Sequence, residues 1–82
     1  MKRNMFGEAY CKTADEATRE IEAKGSWDIH VPISDMNDPE PGFDYTVDVL
    51  TNEEGELVCH LEAPSKEKLL ALAKELKLEI VQ

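Results

Sequence analysis

The sequence predicts an α+β domain built as a two-layer sandwich in the order β-α-β-β-β-α-β. A central antiparallel three-strand meander forms its sheet, with both helices on one face. Three observations lead there. Three segments alternate apolar and polar residues with the period of two that a half-buried strand shows. Two others carry apolar residues at helical spacing behind an N-terminal cap. Each helix has one apolar stripe and each strand one apolar face, so the smallest arrangement that buries them all lays both helices on one side of one sheet.

The first strand is expected within Met5–Cys11, with Phe6 and Tyr10 as its best β-formers. Thr13-Ala14-Asp15-Glu16 reads as a capping box, in which the Thr13 hydroxyl and the Glu16 carboxylate each satisfy a backbone N–H of the other. Ala14, Ala17 and Ile21 make the stripe of a helix over Ala14–Lys24, and Gly25 supplies the left-handed residue that ends it. Trp27–Ile33 then alternates, with Trp27, Ile29, Val31 and Ile33 inward. After a loop, Ser34–Gly42, the strand Phe43–Thr51 points Phe43, Tyr45, Val47 and Val49 inward, and Leu57–Ala63 does so with Leu57, Cys59 and Leu61.

A three-residue hairpin loop, Glu53-Glu54-Gly55, pairs Val49 with Cys59 and Val47 with Leu61, which keeps inward residues together. Ser65 caps a second helix with Leu69, Leu72, Ala73 and Leu76 as its stripe, and a short last strand Leu78–Val81 follows.

At 82 residues the chain is read as a single small acidic domain, residues 1–82. It has 18 acidic against 9 basic side chains, a net charge of −9. The excess is spread along the chain. Residues 1–41 carry five basic and nine acidic groups, residues 42–82 four and nine. Between Lys24 and Lys66 there is no lysine or arginine, while ten carboxylates fall in that stretch. Such a surface disfavours phosphate backbones and anionic membranes, so neither nucleic acid nor a membrane is an expected direct partner. It suits a protein with a basic surface, or a divalent cation.

The element order is similar to that of double-stranded-RNA-binding domains, in order alone. That resemblance implies a lysine-rich start to the last helix, where this chain has Lys66 and Lys68 only. The segment Met1–Gly7 is basic but has no apolar core of a signal peptide. Cys11 and Cys59 fit no C-x-x-C pattern. The expected compartment is the reducing cytoplasm, and the expected oligomeric state a monomer or weak homodimer.

Without helices to cover it, the outer sheet face becomes the candidate surface. The register above puts Asp48 opposite His60 and Leu50 opposite Val58. Carboxylates around an aliphatic centre have the anatomy of a docking interface. Asp44, Asp48, Leu50, Val58, His60 and Glu62 are its expected partner-binding residues. The function expected is therefore a small acidic protein-binding module, regulatory or accessory. An alternative is an acidic decoy that inhibits a nucleic-acid-binding protein such as a nuclease or CRISPR effector, its carboxylates standing for phosphates.

A third reading is a divalent-metal protein. If Ile33 pairs with Phe43, His30 lies diagonal to Asp48, and His30, Asp48 and His60 offer two imidazoles and a carboxylate. The loop adds the hard oxygens of Asp35, Asn37, Asp38 and Glu40, although Pro39 breaks any EF-hand spacing. Catalysis is not expected. There is no phosphate loop, nucleophile elbow or H-E-x-x-H, and Cys59 points to the core, so no catalytic residue is assigned.

Overall fold

The computed structural model describes residues 2–82; Met1, at the head of the basic N-terminal segment, lies outside them. The helices form where the punctuation placed them. α1 runs Ala14–Lys24 and α2 Lys66–Glu75. Thr13 Oγ1 accepts from the Glu16 N–H at 3.2 Å, and Glu16 Oε1 accepts from the Thr13 and Lys12 N–H groups at 3.3 and 2.9 Å. Those N–H groups, that of Lys12 first, hold the Glu16 carboxyl below the usual carboxylate range. Gly25 closes α1 at φ 88°. α2 starts on Ser65, whose hydroxyl accepts from Lys68 N–H at 3.2 Å. It ends without a glycine: Lys77 takes the left-handed conformation, at φ 58°. Thr13→Ala should cost about 1 kcal/mol of unfolding free energy. Urea denaturation monitored by circular dichroism checks this, and an unchanged midpoint would mean the box adds nothing.

Among the described residues six strands make one mixed sheet: β1 Lys2–Arg3, β2 Ala9–Cys11, β3 Ile29–Pro32, β4 Tyr45–Thr51, β5 Leu57–Ala63 and β6 Glu79–Val81. Their spatial order is β1-β2-β5-β4-β3-β6. The antiparallel meander β3-β4-β5 is its centre, as the alternation required. On either side a parallel neighbour is added: β2 pairs with β5 and β6 with β3. Parallel neighbours need a crossover, and α1 and α2 supply it. Ala17, Ile21, Leu69, Leu72 and Ala73 from the helices share one core with Cys11, Val31, Val47, Val49, Cys59 and Leu61 from one face of the sheet.

Three expectations are corrected. The segment Met5–Cys11 is a strand only from Ala9. Lys2–Arg3 pairs back on it, and Met5-Phe6-Gly7 is the three-residue loop between them. Asn4 Oδ1 accepts from the N–H groups of Phe6 and Glu8 at 2.9 and 3.0 Å, and Gly7 takes φ 80°. The three-residue solution thus occurs here. The β4–β5 connection has four residues, Asn52–Gly55, because Thr51 N–H bonds Glu56 O at 2.9 Å. Leu50 therefore pairs with Leu57, and a bulge restores the Val49–Cys59 and Val47–Leu61 pairs. Val58 is the extra residue. It packs against the core instead of facing Leu50. Trp27 and Phe43, expected inward, lie beyond the strand ends and are exposed.

Candidate functional site

Register decides what the helix-free face presents. Lys2 pairs with Tyr10, Tyr10 with His60 and His60 with Asp48, so four side chains stand in one row across β1, β2, β5 and β4. The Tyr10 ring stacks on the His60 imidazole, centroids 4.5 Å apart and planes 17° from parallel. Lys2 Nζ lies 5.3 Å from the centre of the Tyr10 ring. His60 Nδ1 lies 2.7 Å from Asp48 Oδ1 and its Nε2 3.4 Å from Glu8 Oε1. The Asn4 amide at 2.7 Å, and then His60, hold the Glu8 carboxyl below the usual range. An imidazole pinned between two carboxylates and an aromatic ring is a rigid, polar centre. Each ring nitrogen already faces a carboxylate oxygen.

Beside this row is a groove of about 620 Å³. Tyr10, Thr46 and Glu62 form its floor, and Lys12 and the Gly42–Asp44 segment stand along it. The turn Glu40-Pro41-Gly42-Phe43, closed by Phe43 N–H to Glu40 O at 3.1 Å, has proline second and glycine third at φ 91°, the residues a type II turn asks for. It turns Phe43 out to 70% exposure. Glu62, by contrast, is a buried carboxylate, only 6% exposed. Lys12 Nζ sits 3.4 Å from Glu62 and 3.6 Å from Asp44. These carboxylates, Glu62 foremost, raise the Lys12 ammonium above its ordinary range.

The aliphatic part of the face is Leu50 with Leu57, not with Val58. His30 stands opposite Leu50, four positions along β4 from its expected place at Thr46. Its Nδ1 lies 2.6 Å from Asn52 Oδ1, and Asn52 donates to Asp28 Oδ1 at 2.6 Å. The expected trio of His30, Asp48 and His60 is therefore not assembled. The cause is local. Ile33–Asp35 curls into a single 3-10 turn, and Asn37 N–H, rather than a residue of β3, bonds Thr46 O at 3.1 Å. The loop oxygens do not converge either. Asp35 belongs to that turn, Asn37 is tied to β4 through its backbone N–H, Asp38 pairs with Lys66 Nζ at 3.1 Å, and the Glu40 backbone carbonyl accepts the turn bond. Among the described residues, no group of three or more His, Cys, Asp or Glu side chains is arranged to hold a metal ion.

Of the expected partner-binding residues, the structure brings Asp48 and His60 into contact and links Asp44 to Glu62 through Lys12. Glu8, Tyr10, Lys2 and Lys12 were missed as members of the face. Alternation through Tyr10 carried a signal for Glu8 and Lys12, but only the parallel β2–β5 pairing places them there. Cys11 and Cys59 lie on the other face, buried and not joined by a disulfide. The two thiols are hydrogen-bonded to each other, which pushes Cys59 up and Cys11 down.

The chain matches no family model, no curated protein and no solved structure. Among the described residues, no helix is long and apolar enough to cross a membrane.

Proposed function

We propose that this protein is a small acidic protein-binding module, regulatory or accessory, that docks a basic protein on its helix-free sheet face. The observation that carries the reading is the make-up of that face. Asp44 and Glu62 flank Lys12, Glu8 and Asp48 flank His60, and next to the Asp48–His60 pair, toward the hairpin, stands the aliphatic pair Leu50 and Leu57. An aliphatic patch beside charged groups can exclude water while the charges steer approach. Binding, not catalysis, suits the His60 centre, whose ring nitrogens both face carboxylates. The proposed compartment is the cytoplasm, which suits Cys11 and Cys59 as thiols without a disulfide.

The immobilised protein should retain a basic protein from a lysate of the source cells at about 0.15 M salt and release it at about 1 M. Leu50→Asp should abolish retention. Loss only in the triple variant Asp44→Asn/Asp48→Asn/Glu62→Gln, with Leu50→Asp unaffected, would replace docking by the decoy reading. No retained protein at either salt would sink both.

A further inference from the structure

The Lys12 ammonium divides itself between two carboxylates and meets neither closely. Its distances of 3.4 Å to Glu62 and 3.6 Å to Asp44 exceed the roughly 2.7–2.9 Å of a good charge-assisted hydrogen bond. One of those carboxylates, Glu62, is nearly shielded from solvent, where an ionic hydrogen bond is strengthened by the low local dielectric. Beside them Phe43 holds an exposed ring at the groove wall. A rounded ammonium suits this set poorly. A planar group with several diverging N–H donors, able to stack on an aromatic face, suits it well.

We propose that the groove receives a single arginine side chain of the docked partner, its guanidinium displacing the Lys12 ammonium between Glu62 and Asp44 and its stem lying against Phe43. The inference rests on the protein-docking reading above and names the residue that reading would recognise. Lys12 is then a resident competitor, which keeps Glu62 paired in the free protein and swings out on binding. It can do so because its side chain is 62% exposed. Lys2, over Tyr10 on the other rim, sets the charge of the occupant. It repels a second cation, so the groove takes one arginine from a neutral stretch rather than a polybasic run.

The test needs no partner. Backbone amide shifts of the whole protein are followed during titration with N-acetyl-arginine amide, N-acetyl-lysine amide and the uncharged N-acetyl-citrulline amide. The arginine compound should saturate with a dissociation constant on the order of millimolar, as its size allows. Shifts should cluster at Tyr10, Phe43, Asp44 and Glu62. The lysine compound should bind about tenfold more weakly and citrulline not measurably. Lys12→Met should tighten arginine binding about threefold or more by removing the competitor. Phe43→Ala, at an exposed position that folding does not need, should weaken it severalfold. Equal shifts for arginine and lysine, shifts centred on Glu53 and Glu54, or a weakening in a folded Lys12→Met variant would each overturn the proposal. Failure here with a partner captured above would leave the docking face standing without an arginine subsite. Saturable arginine binding with no captured protein would sink the docking reading and leave the guanidinium site.

Discussion

Leu61→Ala is expected to lower the unfolding free energy by about 2–5 kcal/mol. Leu61 is fully buried on β5, the strand that touches both helices. Its register partners are Cys11 on the parallel side and Val47 on the antiparallel side. A cavity there is enclosed by paired strands laterally and by helices above, so little can relax into it. A domain of this length has roughly 4–12 kcal/mol to lose, at about 0.05–0.15 kcal/mol per residue. The variant should therefore populate unfolded chain measurably at room temperature. Urea denaturation reads this as a fall in midpoint at unchanged slope. A loss below about 1 kcal/mol would mean that the core is loosely packed around β5.

Val58→Asp should be almost as damaging, at about 3 kcal/mol or more, whereas Leu50→Asp should shift stability by under about 1 kcal/mol. Strict alternation places both residues on the outer face, where a carboxylate is tolerated. The bulge separates them. Leu50 stays outside, opposite Leu57, while Val58 packs on the core. A charge at position 58 must then be desolvated or must force the bulge open. Parallel denaturation of the two variants decides the matter. Equal, small losses would show that the strand slips to the simple register at little cost.

That pair of positions also shows how far the fold could be read from residues alone. Short-range chemistry was legible. The Thr13–Glu16 box and Gly25 bound α1 at the residues expected, and the alternation of Leu57–Ala63 gives the bounds of β5, although the bulge exchanges the faces expected for Leu57 and Val58. What depended on pairing over distance was not. Nothing in Tyr10 announces a parallel neighbour at His60, fifty residues on. The Gly55 turn is read as three residues where the chain uses four, and the bulge hides the difference by restoring the same inner pairs. His30 was misplaced because its register was inferred across a loop, and the 3-10 turn at Ile33–Asp35 takes up Ile33, which that inference left extended. At the site, Asp48 beside His60 followed from the hairpin. The burial of Glu62 did not, since it needs Lys12 from just beyond the end of β2 and the turn at Pro41-Gly42.

The two outermost strands have a further consequence. β1 is two residues long and both are cationic, while β6 is three residues long and begins with Glu79. A neighbouring chain seeking to extend the sheet finds two or three rungs and a charge among them at either end. Short charged borders of this kind are a common protection against fibrillar growth. They matter here because one broad side of the sheet is bare. Encounters are thereby directed to the side-chain relief of that bare side, where identity can be discriminated, and away from the backbone ladder, where any extended chain would do.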